Sequence, residues 1–117
     1  DANTAYRNFE HFSTPVCLVG HTHVPVLFRL DEEEDRAQTV LPPLPEPVTL
    51  GPERAIVNPG SIGQPRDGDP RASYAMLDTD EMTWEFRRVS YSIAVTQERM
   101  RAKGLPQLLI DRLDAGR

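Results

Sequence analysis

The sequence predicts a mixed α/β fold, and three observations carry that prediction. A short continuous apolar run at residues 16–19 stops at Gly20. Apolar residues then recur at every second position at 24–30 and again in two segments within 73–89. Helical periodicity is confined to the two ends of the chain.

Each element follows from local chemistry. Asp1 or Asn3 can cap a first helix, whose Tyr6, Phe9 and Phe12 recur at three-residue steps and form one apolar stripe ending at Pro15. The run 16–19 reads as a strand buried on both faces, with Gly20-His21-Thr22-His23 at its C-terminal end. In the next strand, 24–30, Val24, Val26, Phe28 and Leu30 alternate with Pro25, Leu27 and Arg29, which predicts one buried and one more exposed face. Pro25 confines that strand to an edge or to its own first residues. The acidic run 31–35 and then Pro42, Pro43, Pro45 and Pro47 predict a long exposed loop over 31–53, broken by a brief strand at 38–41. A short strand at 55–57 enters Asn58-Pro59-Gly60-Ser61, and 63–70 is dense in turn formers. Segments 73–77 and 83–89 predict a hairpin around 78–81, with Tyr74 and Met76 facing Trp84 and Phe86. Two helices follow, one over 92–103 ended by Gly104, the other opened by Pro106 with Leu108, Leu109 and Leu113 on one face. No internal repeat is present.

Composition narrows the function. At 117 residues the chain fits one domain. Thirteen Lys and Arg against 18 Asp and Glu leave a net charge of −5, which argues against a nucleic-acid platform with a basic face. No apolar run approaches the roughly 18 residues that span a bilayer, so no membrane association is expected. The single cysteine, Cys17, excludes an internal disulfide framework and suits a reducing, cytoplasmic compartment. Cys17 itself reads as a small hydrophobe in a strand. The start, Asp1-Ala2-Asn3-Thr4, has no initiator Met, charged region or apolar stretch, so the chain is expected to begin inside a longer domain.

The chemistry concentrates at His21 and His23. In extended backbone, residues two apart point the same way, so both rings would reach one small region. Such a pair suits two metal ions about 3.5–4 Å apart, one ring to each, the separation used for in-line phosphoryl hydrolysis. The plainer alternative is a pair of turn histidines, one solvated and one bonded to backbone. A cupin-type site would want a carboxylate soon afterwards on the same strand, and residues 24–28 supply none. The five carboxylates of 31–35, lacking a glycine turn, read as a solvated loop rather than a calcium site.

The run Val19-Gly20-His21-Thr22-His23-Val24-Pro25 resembles the last metal motif, G-H-x-H, of the calcineurin-like metallophosphoesterases. Asn58-Pro59-Gly60-Ser61-Ile62-Gly63-Gln64-Pro65-Arg66 is similar to the N-P-G-S segment of their small bacterial members related to diadenosine tetraphosphatase. A Ser-Tyr-Ala-Met-Leu strand follows, and the likeness runs from Phe12 onward. It implies a four-layer α/β/β/α sandwich of which this chain supplies mainly the second sheet and the C-terminal helices. It also implies that His21 and His23 each hold one of two divalent ions, manganese first, with iron, zinc, nickel or magnesium as alternatives. Asn58 and Ser61 would orient ligands or face solvent near the phosphate, with Arg66 and, more weakly, Arg71 as phosphate contacts.

The family's D-x-H, G-D-x-x-D and G-N-H-D or G-N-H-E motifs are absent from these residues, as is its separate intervening histidine. His11, without a neighbouring glycine, reads as a helix-end residue and no replacement. Two hard cations need about six donors each, so the remaining ligands and the catalytic groups are expected upstream of Asp1. The implied function is part of a phosphoesterase that hydrolyses phosphomonoesters or phosphodiesters with a metal-bound hydroxide. Its expected partners are a small phosphorylated substrate, nucleotide-type ones included, the upstream half of the domain, and further copies of the protein in an oligomer. The alternative is a non-catalytic scaffold or protein-binding module of the same fold, as in the retromer subunit of this superfamily. A mononuclear zinc module is disfavoured because no third ligand stands in register.

Overall fold

The Asp1 carboxylate accepts the Thr4 amide at 2.8 Å and so caps α1 (Ala2–Asn8), which continues as a 3-10 turn over Phe9–His11. The helix ends there rather than at Pro15, because Phe12 is already extended (φ −146°, ψ 155°). A computed structural model supplies these coordinates and describes residues 1–43 and 46–117; Pro45, one of the prolines expected in the long loop, lies outside the described residues.

The strands are β1 (Val16–Leu18), β2 (Pro25–Asp31), β3 (Arg36–Val40), β4 (Val48–Thr49), β5 (Ala55–Pro59), β6 (Ala72–Asp78) and β7 (Thr83–Val89). Among the described residues they divide between two sheets, one of four strands in the order β1-β5-β2-β3 and one of three in the order β4-β7-β6. Helices α2 (Ile93–Ala102) and α3 (Gln107–Asp111) close the chain. No helix among the described residues is long and apolar enough to cross a membrane.

Side-chain parity along the strands builds two cores. From β5, Ile56 joins Ala5, Phe9, Leu30 and Ala37 beneath α1, whereas Ala55 and Val57 join Leu27, Leu50 and Trp84 between the sheets. The layers therefore run α1, four-stranded sheet, three-stranded sheet. Arg54 fastens the first of these layers, its Nη1 donating to the carbonyls of Phe9 (2.8 Å) and Phe12 (2.7 Å) while its guanidinium lies 5.7 Å from each ring centre.

Several expectations are corrected by this arrangement. β2 starts at Pro25 as expected, but it runs between β5 and β3 and buries Val26 on one face and Leu27 on the other. β1, expected to be buried on both faces, is an edge strand that pairs with β5 alone among the described residues, leaving Leu18 61% and Val19 40% exposed. The acidic run is a hairpin turn, not the start of a long loop. Asp31 closes it by accepting the Glu34 amide at 3.0 Å and the Gln38 side chain at 2.6 Å, Asp35 takes φ +52°, and β3 pairs back along β2. β4 was not anticipated, since two residues among prolines carry no periodicity.

In the second hairpin the turn takes 79–82, and Asp78 pairs with Thr83. That one-residue difference reverses the facing pairs: Leu77 stands opposite Trp84 and Ala75 opposite Phe86, while Tyr74 and Met76 stand opposite Arg87 and Glu85 on the other face. Trp84 and Phe86 instead pack edge to face along their own strand, ring centres 5.7 Å apart. In α3 the buried residue is Ile110, with Leu113 just beyond the helix, whereas Leu108 is 76% exposed.

Candidate metal centre

β1 and β5 run parallel and deliver the two sequence motifs to the same end of the four-stranded sheet. The ladder goes one bond past β1, Val19 donating to the Val57 carbonyl at 2.9 Å, and the chain then turns through Gly20 to His23. Here the extended-backbone expectation fails. His21 (φ +76°) and His23 (φ +62°) both adopt left-handed backbone, so a tight turn, not strand alternation, sets their directions. Such conformations cost non-glycine residues on the order of 1–3 kcal/mol each and persist only where neighbours enforce them.

The enforcing contacts come from the 58–66 segment. Asn58, 2% exposed at the end of β5, donates through Nδ2 to the Gly20 carbonyl (3.2 Å) and the Thr22 hydroxyl (3.0 Å), and its Oδ1 accepts the Gly60 amide (2.9 Å). The Arg66 amide donates to the His23 carbonyl at 3.1 Å. His23 Nδ1 lies 2.8 Å from the Gln64 carbonyl oxygen. A carbonyl only accepts, so Nδ1 carries the proton and Nε2 presents its lone pair, the tautomer a metal ligand requires. His23 is half-buried and His21 exposed.

Beneath this turn, Ser73 of β6 ties the second sheet to the motif. Its Oγ donates to the Pro59 carbonyl at 2.7 Å and its amide to the Ser61 carbonyl at 2.9 Å. Ser61 Oγ accepts the Gln64 amide at 3.0 Å, shaping the bend that aims the Gln64 carbonyl at His23. Beyond it the two arginines differ. Arg71 is committed to Asp69 through Nε–Oδ1 (3.0 Å) and Nη2–Oδ2 (2.6 Å), which disfavours it as a phosphate contact. These hydrogen bonds hold the Asp69 carboxyl down at about 2 and raise the Arg71 guanidinium. Arg66 is exposed, and among the described residues its side chain bonds only a neutral group, the Gln64 Oε1 at 2.7 Å. Arg88 ties the loop down by pairing with Asp67 and donating to the carbonyls of Asp69 (3.3 Å) and Arg71 (3.1 Å).

The sequence reading singled out His21, His23, Asn58, Ser61 and Arg66, and the structure brings all five into one end-of-sheet cluster. It turns Asn58 inward, its amide occupied with the histidine turn and not facing solvent. Thr22, Gln64 and Ser73 were missed. Thr22 lies inside the motif itself, but the other two act through a backbone carbonyl and a cross-sheet contact, which leave no signal in residue type. Among the described residues no three of His, Cys, Asp or Glu gather to hold an ion. The donor set present fits part of a shell: two imidazole nitrogens, suited to borderline divalent cations.

The family model for the calcineurin-like phosphoesterase superfamily domain matches residues 1–82, and the chain belongs to that superfamily. A metallophosphoesterase of Sphaerobacter thermophilus superimposes with a TM-score of 0.91 at 49% identity, over 97% of this chain and 47% of that one. A hypothetical protein of Pyrococcus horikoshii shares the fold at a TM-score of 0.62 and 21% identity, over 97% of this chain and 36% of its own. An uncharacterized protein of Methanocaldococcus jannaschii is 42% identical over 65 residues, 56% of this chain and 27% of that protein. The chain thus spans less than half the length of each of these relatives.

Proposed function

We propose that the chain forms part of a metal-dependent phosphoesterase that hydrolyses phosphomonoesters or phosphodiesters at a pair of divalent ions, with manganese the first candidate. Family membership supports the chemistry, and the observation that carries it to these residues is the His21-Thr22-His23 turn with His23 Nδ1 engaged by the Gln64 carbonyl. His21 and His23 would hold the metals through ring nitrogens. The bound cations would activate water and offset charge on the phosphoryl oxygens. Ser61 and Arg66 would meet the substrate, the guanidinium matching a phosphate edge with paired donors.

The remaining ligands and the catalytic groups would come from polypeptide seated along β1. The strand's outer edge is unpaired among the described residues. Beside it an apolar groove of about 750 Å³, lined by Phe12, Cys17, Val26, Phe28 and Ile56, leads to Gly20, Thr22 and Asn58. The S. thermophilus relative has polypeptide beyond the 47% that this chain matches. The single cysteine accords with a reducing, cytoplasmic setting.

The test is turnover of bis(p-nitrophenyl) phosphate and p-nitrophenyl phosphate by the intact protein with manganese. Activity lost on chelation, restored by manganese and abolished by His21→Ala or His23→Ala is expected. Metal-independent turnover would defeat the reading, and bound manganese without turnover would favour a scaffold of the same fold.

A further inference from the structure

Asn58 lies outside the Gly20-His21-Thr22-His23 motif, and it touches the motif on both sides of His21. We propose that Asn58, acting through Thr22, is a positioning residue that sets the histidine turn for metal binding. The inference rests on the metal reading above. The Asn58 amide has two donor hydrogens and one acceptor oxygen, and the structure uses both ends of it. Nδ2 spans the Gly20 carbonyl and the Thr22 hydroxyl, the residues on either side of His21, while Oδ1 takes the Gly60 amide. At 2% exposure the side chain cannot exchange these partners for water.

The geometry requires such a clamp. His21 and His23 hold left-handed backbone on either side of Thr22, a state a free turn would leave for the common regions. His23 has two anchors of its own, the Gln64 carbonyl on its ring and the Arg66 amide on its backbone. His21 is exposed and its ring makes no hydrogen bond among the described residues, so the direction of the ring depends on the backbone that Asn58 fixes. Asparagine serves where aspartate would not, since a carboxylate offers the Gly20 carbonyl no proton. Thr22 contributes an acceptor and lies on the exposed side of the turn, so its side chain can be altered without disturbing either core.

The experiment titrates the metal-stripped intact protein with Mn²⁺, reading the free ion by its electron paramagnetic resonance signal, and records the unfolding midpoint of each variant. Asn58→Asp is expected to weaken Mn²⁺ binding about tenfold or more, the scale of losing a group that orients a ligand. Thr22→Val removes the acceptor of the Asn58 amide and, at 3.4 Å, of the Val24 amide; it should weaken binding about fivefold or more, the scale of lost neutral hydrogen bonds, with a fall in the unfolding midpoint smaller than that of Asn58→Asp. Thr22→Ser should restore it. Wild-type affinity in Asn58→Asp and Thr22→Val, alongside weakened His21→Ala and His23→Ala, would overturn the positioning role while leaving the metal reading standing. Wild-type affinity in both histidine variants would overturn the two together. Should Asn58→Asp fail to fold, the Thr22 pair decides the matter alone.

Discussion

Gly60 and Ser73 approach so closely that a Cβ on Gly60 would stand 2.6 Å from the Ser73 hydroxyl oxygen and 2.8 Å from its Cβ. Gly60 also takes φ +85°, where a side chain is strained whatever the space. The N-P-G-S turn is therefore seated on the second sheet by contact with a residue that is itself 2% exposed. Gly60→Ala should destabilise the protein by about 3 kcal/mol, combining overpacking with left-handed strain. In a Ser73→Gly background the same change should cost only about 1–2 kcal/mol, because the two closest contacts are gone while the strain and a 3.1 Å approach to Pro25 Cδ remain. Equal costs in both backgrounds, measured by urea unfolding, would show that the close approach plays no part.

Arg54 tests a different joint. Its guanidinium donates to two carbonyls that close the first helical segment and stacks near both phenyl rings. Lysine keeps the charge and loses the planar fork. Arg54→Lys should cost about 1–3 kcal/mol, the range for hydrogen bonds from a charged donor, and should speed amide exchange in α1 more than in β6 and β7. Uniform exchange across the chain would mean that Arg54 does not anchor the helix.

The Asp69 carboxylate gives an acid-side signature. Its hydrogen bonds from Arg71, opposed by burial and aided by Arg88, lower it from 3.8 to about 2. A folded-state value below the unfolded one adds stability that is complete above the unfolded value and drains away as pH falls through the folded one. The contribution of Asp69 should therefore be full above about pH 4 and lost between about pH 4 and 2. Asp69→Asn should flatten stability over that window and leave its slope near neutrality unchanged. A variant whose acid limb tracks the wild type would remove Asp69 from the account.

Much of the fold was legible because its signals are local. Asp1 caps α1, Gly104 follows α2 at φ +69°, and Pro106 precedes α3, each for reasons internal to a few residues. The parity of the 72–89 hairpin was not legible. Whether Tyr74 or Ala75 faces inward depends on one residue of turn length, and the Asp78 carboxylate sets that length by accepting the amides of Asp80 and Glu81 at 2.9 and 2.8 Å. The face of α3 was misread for a related reason: Leu108, Leu109 and Ile110 are all apolar, so composition cannot say which one the neighbouring helix covers.

The candidate site divides along the same line. His21, His23, Ser61 and Arg66 were singled out through the likeness of their two motifs, taken in order, to those of the metallophosphoesterases, since a histidine pair or an arginine by itself reads equally well as a turn or a solvated side chain. Only the folded chain decided that the histidines sit on left-handed backbone and that a carbonyl from residue 64 selects the His23 tautomer. It likewise decided that Asn58 faces inward and that Arg71 is already spent on Asp69. These are relations between segments tens of residues apart, brought together by the parallel pairing of β1 with β5. Spacing along a sequence records which groups a chain owns, and hydrogen-bond partners chosen across a sheet determine where those groups point.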